Sequence, residues 1–202
     1  MRIVVVGAAG KSGRQVVTEA VQRGIGVTAY VRSAARAEAL PAGVTILEGD
    51  GRDVAALKAA IAGHDAVVVT AGGRKEPVSG EITQAVIAAM QATGVKRLIA
   101  YSAYGAVDGR GFYAWIMRSA AGKIVADKVQ QERALAASGL DWTAVRPGVL
   151  TDGPTTGKVA AAVDLVLPGF PQISRSDVAA FTIDELQSPR FIGKAVVVHV
   201  PR

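Results

Sequence analysis

The apolar, β-branched run Ile3-Val4-Val5-Val6 leads straight into Gly7-Ala8-Ala9-Gly10-Lys11-Ser12-Gly13, and this junction constrains the fold more than any other stretch. The run reads as a strand buried on both faces. Behind the glycines, Val16, Val17, Ala20 and Val21 fall on one helical stripe. Strand, glycine turn and helix in that order aim backbone N–H groups and the positive end of a helix at a phosphate. Gly7 permits the sharp turn, Gly10 lets backbone approach a pyrophosphate, and Gly13 lets helix and strand pack closely. Ala9, Lys11 and Ser12 lie between them as further candidate contacts. The arrangement predicts a dinucleotide site. Gly10-Lys11-Ser12 also matches the end of a mononucleotide loop, but that motif needs a glycine where Val5 stands. A triphosphatase is excluded.

Half of the 202 residues are hydrophobic and only 5% aromatic, an Ala/Val-rich balance that suits a sheet covered on both faces by helices. No apolar run approaches the roughly 20 residues that span a bilayer, and the first strand is too short for a signal peptide. The absence of cysteine excludes disulfides, thiolate catalysis and Cys-ligated metals, and a soluble cytoplasmic protein is expected. The formal charge of +6 raises the question of nucleic acid. The basic residues are scattered, however, and Lys11, Arg14, Arg32 and Arg36 gather where an anionic cofactor would sit. A small-molecule substrate is expected, with neither nucleic acid nor membrane as partner. His64 and His199 lack the spacing of a metal site or a triad, and no nucleophile elbow is present.

Strand and helix signals alternate along the chain. Strands are expected at Gly26–Val31, Val44–Leu47, Asp65–Thr70, Arg97–Tyr101, Asp141–Val145 and Ala195–Val200. Helices are expected at Ala34–Leu40, at Asp53–Ala62 with Asp53 as cap, at Glu81–Thr93, through Phe112–Ala137 and near Ser176–Leu186. Lys158–Leu167 reads either as strand or as irregular chain. No repeat or linker divides the sequence, so one domain over residues 1–202 is expected, with a small substrate-side region from about residue 150. Alternating β and α units imply a doubly wound, mostly parallel α/β sheet, with ligands beyond the carboxyl ends of the strands. Function should then lie in Gly7–Gly13, Arg32, Asp50, Ala71–Gly73, Ser102–Tyr104 and Pro147–Leu150, all of which follow a strand.

The end of the second strand reads Tyr30-Val31-Arg32-Ser33, without the carboxylate that selects NAD. A guanidinium there pairs instead with a 2′-phosphate, so Arg32, with Arg36 as a second contact, points to NADP over NAD. Asp50, followed by Gly51, stands where a side chain reaches the adenine edge; a turn-forming role for it is equally open.

Together these residues resemble the atypical short-chain dehydrogenase/reductase family, with Rossmann-like strand order 3-2-1-4-5-6 and a seventh strand. The similarity to its flavin-reductase-like and NmrA-like members extends to Thr70-Ala-Gly-Gly73, to Ser138-Gly-Leu-Asp-Trp-Thr-Ala-Val-Arg-Pro-Gly148 and to Ile173-Ser-Arg-Ser-Asp-Val-Ala179. The resemblance implies a cofactor held by Gly51, Ala71, Gly72 and Gly73, with the nicotinamide near Ser102 and near Pro147, Val149 and Leu150. It also implies a Tyr-x-x-x-Lys pair for acid–base work. Lys128 fits the lysine, but Ile124 stands where the tyrosine belongs, and isoleucine carries no proton to give. Ser102, Lys128 and Tyr113 are the catalytic candidates, with Tyr101 and Tyr104 as other possible hydroxyls. The expected activity is NADPH-dependent hydride transfer to a small conjugated acceptor such as a flavin, quinone or related carbonyl. The alternative is a non-catalytic NADP(H) sensor with a regulatory protein partner. A homodimer is equally open.

Overall fold

Alternation along the first strand decides where the core lies. β1 (Arg2–Val6) sends Ile3 and Val5 to one face and Val4 and Val6 to the other, and all four are buried. The computed structural model, which describes residues 1–72, 77–107, 111–120 and 122–201, accordingly has two apolar cores, one on each side of a sheet. On the first side α1 (Lys11–Gln22) packs beside α6 (Arg175–Gln187), with Val16, Val17, Ala20, Val178 and Phe181 meeting Ile3 and Val5. On the second, α2 (Val54–Ile61), α3 (Ser79–Thr93) and α5 (Gly122–Ala137) bring Leu57, Ile61, Val86, Met90 and Leu135 against Val4 and Val6. Each of these side chains larger than alanine contributes about 1.5–3 kcal/mol by leaving water.

The sheet contains β2 (Gly26–Val31), β3 (Thr45–Glu48), β4 (Ala66–Val69), β5 (Arg97–Tyr101), β6 (Asp141–Pro147), β8 (Ala160–Ala162) and β10 (Lys194–His199) besides β1. Its order is β3-β2-β1-β4-β5-β6-β10-β8, parallel except where β8 runs against β10. This is the doubly wound, Rossmann-like α/β fold expected from the alternation, with β10 as the additional parallel strand beside β6. β7 (Val149–Thr151) and β9 (Gln172–Ser174) pair separately, beyond the carboxyl end of β6. Val6 stands opposite both Tyr30 and Val69. Strand order reverses at β1, so the crevice between the ends of β1 and β4 opens at Gly7.

Two expectations change. Ala34–Leu40 supplies only one 3₁₀ turn, Ala34–Ala37, so no α-helix covers β3, and Ile46 and Leu47 remain exposed. The helical stretch expected over Phe112–Ala137 is two helices, α4 (Phe112–Ala120) and α5. The second begins at Gly122, a residue that costs a helix interior about 1 kcal/mol relative to alanine. Asp53 caps α2 as expected, its carboxylate accepting from the amides of Ala55 and Ala56 at 2.9 and 3.1 Å.

Candidate functional site

The start of α1 is built differently from the starts of α2 and α6. Those two are capped by side chains: Asp53 on α2, and Ser174, which accepts from the Asp177 amide, on α6. The residue at the cap of α1 is Gly10, which has no side chain to offer, and the first turn of the helix holds no acidic residue. Its leading N–H groups are left for an outside acceptor, and the positive end of the helix favours an anion there. Gly7 makes the approach possible: at φ +87° it occupies the left-handed region, and a Cβ there would lie 2.7 Å from the Ala71 nitrogen. A Cβ on Gly13 would fall onto the Gly7 carbonyl oxygen and 2.8 Å from the Ala8 Cα. Any larger residue would push helix and turn apart.

From this turn a cavity of about 750 Å³ extends across the ends of β2 and β4. Gly7, Ala9 and Gly10 form one wall; Arg32, Ser33 and Arg36 another; Thr70, Ala71 and Gly72 a third. Gly49, Asp50, Gly51 and Arg52 close the far side, where Val78 and Ile82 add an apolar surface. Ser12 is half-buried at the start of α1. Gly73 lies outside the described residues. Asp50 sits on the wall as anticipated, but Arg52 grips it: Nε donates to Oδ1 at 3.0 Å and Nη2 to Oδ2 at 2.7 Å. Those bonds, with the Arg52 amide and the charges of Arg52 and Arg32, hold the Asp50 carboxyl down at about 2. The wall thus carries three guanidiniums, Arg32, Arg36 and Arg52, against one carboxylate already paired. Arg52 was not evident from the sequence, where it reads as a surface residue. Its i, i+2 spacing from Asp50 was the available signal.

Lys11 points the other way. Its ammonium meets Asp152 at 2.9 Å, and Arg175 meets the same carboxylate at 2.5 Å, so one acid links the glycine turn to the chain after β7 and to α6.

The candidates at the ends of β5 and β6, namely Ser102, Lys128, Tyr113, Pro147, Val149 and Leu150, are not among the residues that line this cavity. The Ser102 amide donates to the Val145 carbonyl at 2.8 Å, the Tyr104 amide to Pro147 at 2.9 Å, and the Val149 amide to Pro171 at 2.7 Å. A Cβ on Gly148 would strike the Pro171 carbonyl oxygen, so this turn is tightly fitted; Leu150 beyond it packs on the first core. The Ser102 hydroxyl turns inward and donates to buried Glu132 at 2.5 Å, which Arg146 clasps from behind. Lys128 is committed as well. Its three hydrogen bonds go to Ser79 Oγ at 2.8 Å, the Tyr101 carbonyl at 2.8 Å and Gln131 Oε1 at 3.1 Å. Burial lowers the Lys128 ammonium to about 8. The Tyr101 hydroxyl is joined to Thr182 of α6 at 2.8 Å, on the first core side, and burial pushes it well above its ordinary value.

Tyr113 belongs to an aromatic cluster. Its ring stacks on Tyr104 at 5.9 Å and meets Phe170 edge-on at 5.7 Å, while Phe112 stacks on Trp115 at 6.2 Å and meets Phe170 edge-on at 6.1 Å. Tyr104 is buried, and its hydroxyl accepts the Leu167 amide at 2.9 Å. Phe112, Trp115 and Phe170 are each more than half exposed, at 59%, 60% and 57%. Half of the chain's aromatic residues therefore stand together above the ends of β5 and β6. Among the described residues no cluster of acids and histidines could hold a metal ion, and no helix is long and apolar enough to cross a membrane.

Comparison with known proteins gives a consistent picture. A family model described as NAD(P)H-binding matches residues 7–189. The chain is 35% identical to the uncharacterized sugar epimerase YhfK of Bacillus subtilis (strain 168), over 92% of this chain and 88% of that one. Among solved structures it resembles a Rossmann-fold NAD(P)-binding family protein from Shigella flexneri, at 29% identity and a TM-score of 0.75, covering 99% and 93% of the two chains. It also resembles ChuY, an anaerobillin reductase from Escherichia coli O157:H7, at 26% identity and a TM-score of 0.84, covering 100% and 98%.

Proposed function

The chain belongs to the NAD(P)H-binding family, and from that premise we propose that it is an NADPH-dependent reductase of small, flat, conjugated acceptors such as flavins, quinones or related carbonyl compounds. The observation that carries the reading is the aromatic cluster of Phe112, Tyr113, Trp115 and Phe170, which packs on Tyr104 in the loop after β5. Exposed faces of this kind suit a planar π-system, which gains both stacking and apolar burial.

The uncapped start of α1 holds the pyrophosphate, and the three guanidiniums favour a 2′-phosphate over a bare ribose. Val78 and Ile82 offer an apolar bed beside Asp50 for the adenine. Bound there, NADPH supplies a hydride, so the acceptor gains two electrons and takes one proton from water. Ile124 provides no proton, and a conjugated acceptor needs positioning more than a dedicated acid. Lys128 braces Ser79 beside Gly72 and holds the end of β5 in place.

Purified chain mixed with NADPH and a panel of flavins, quinones and carbonyl compounds tests the reading by the fall in NADPH absorbance. Turnover with at least one flat acceptor is expected. Tight NADPH binding with no oxidation across the panel refutes it. That result would favour the second reading, a redox sensor, which the loss of the tyrosine at Ile124 also motivates. A sensor binds oxidised and reduced cofactor with different affinities and changes its hold on a protein partner accordingly.

A further inference from the structure

The turn that carries Arg36 is held by two side chains from outside it. Ser33 and Arg36 both line the cavity, and the 3₁₀ turn Ala34–Ala37 closes with the Arg36 amide on the Ser33 carbonyl at 3.1 Å. Glu48, the last residue of β3, accepts the Ala34 amide on Oε2 at 2.7 Å. From α1, Arg14 donates through Nη2 to the Arg36 carbonyl at 3.1 Å. The Arg14 amide meanwhile donates to the Gly10 carbonyl at 2.9 Å, so one residue joins the glycine turn to the Arg36 turn. Arg14 does not itself line the cavity, and its Nε is buried without an acceptor among the described residues. A buried donor left unpaired works against stability, and a second cation held against Arg36 adds repulsion. Fold stability alone does not account for Arg14. A ligand that brings negative charge to Arg36 does.

We propose that Arg14 and Glu48 are positioning residues for recognition of a 2′-phosphate, fixing the turn so that Arg36 stands in place before the ligand arrives. The inference rests on the NADPH reading and adds to it how the preference is set. Neither residue lines the cavity, so each acts through the turn and not on the ligand. A 3₁₀ turn has hydrogen bonds of poor geometry, so bonds from its neighbours decide its shape. Held in advance, Arg36 gives up less freedom when it grips a phosphate. Glu48 separates this role from a role of charge. A carboxylate bonded to the amide next to Ser33 disfavours a phosphate there by Coulomb repulsion, so its removal by that argument strengthens phosphate binding. As a positioning residue, its removal weakens phosphate binding. The two roles have opposite signs.

Calorimetric titration of the full chain with adenosine 2′,5′-bisphosphate and with AMP reads the effect. The two probes differ only by the 2′-phosphate, and neither carries a nicotinamide. The wild type should favour the bisphosphate, and the ratio of the two affinities is the quantity followed. Arg14→Met should lower that ratio about fivefold, the worth of one hydrogen bond. Glu48→Ala should lower it by a similar factor. Glu48→Gln keeps an acceptor oxygen at the same reach and should hold the ratio at or above its wild-type value. A merely structural role for either residue would weaken both probes in parallel and leave the ratio unchanged. Glu48 is exposed on an edge strand, so Glu48→Ala decides the matter even where Arg14→Met does not fold. An unchanged ratio in Arg14→Met or in Glu48→Ala, or a ratio that rises in Glu48→Ala, overturns the inference alone. Equal affinity of the wild type for the two probes, or binding of neither, overturns the NADPH preference and the inference together. Absence of turnover across the acceptor panel refutes the reductase reading and leaves this ratio untouched.

Discussion

Replacing Arg32 by alanine separates the two pyridine nucleotides, because only one of them carries a group for it to grip. Arg32 stands at the end of β2 on the cavity wall, directly after Val31, across from the glycine turn. A charge-assisted hydrogen bond to a phosphate is worth about 1.5–3 kcal/mol, and about 1.4 kcal/mol is a tenfold change in affinity. Two features pull the expectation to the lower end. Arg32 is exposed, so solvent screens it, and Arg36 and Arg52 remain on the same wall to share the charge. The variant should lose about tenfold in NADPH affinity at physiological salt, and more at low ionic strength, where the screening length is longer. NADH affinity should change by less than about twofold on the same arithmetic. Calorimetric titration of wild type and variant with each nucleotide, at two salt concentrations, measures all eight affinities. Equal losses for the two nucleotides would show that Arg32 does not read the 2′-phosphate, and the preference for NADP would go with it.

Three further outcomes are expected. Glu132→Ala strands the buried Arg146 guanidinium, so urea unfolding should show a loss of about 3–5 kcal/mol; a loss below about 1 kcal/mol would mean that the pair is not buried as described. Because burial lowers Lys128 to about 8 from its ordinary 10.5, the unfolded chain still holds that proton between those two pH values after the folded chain has released it. Stability should therefore rise with pH across that window, and Lys128→Met should abolish the rise; an unchanged profile refutes the burial argument. Gly13→Ala sets a methyl group against the Gly7 carbonyl and should cost about 1–3 kcal/mol while sharply weakening NADPH binding. Unaltered affinity in calorimetry would count against the phosphate role of the turn.

The readable parts of this chain are those whose cause is local. β-Branched runs announce β1, β4 and β10, and the glycines of the first turn, Asp53 as a cap and Arg32 after β2 could be placed by spacing alone. The order of the sheet follows from the family resemblance, since crossover rules alone leave a handful of orders open. What stayed hidden depends on residues far apart in the chain. Glu132 looks like one more charge on a long helix; only folding brings it to Arg146 and Ser102. Lys128 and Glu132 one helical turn apart, with Arg146 just ahead of Pro147, were the available signal. Phe170 is separated from Phe112 by several elements, so the aromatic cluster has no pattern in the sequence. The 3₁₀ turn at Ala34–Ala37 went unseen because its residues are fair helix formers, and brevity, not propensity, decided the outcome.

The alternation along β1 has one last consequence. The same four residues feed both cores and set where Gly7 arrives at the crevice. A one-residue slip of that strand would swap its side chains between the two cores, draw either Arg2 or Gly7 into a core position, and carry the nucleotide cradle out of alignment by one position. Misregistered molecules would therefore be unfolded ones rather than well-made but empty ones, and any preparation of this chain that melts cooperatively should arrive with its cradle already in place.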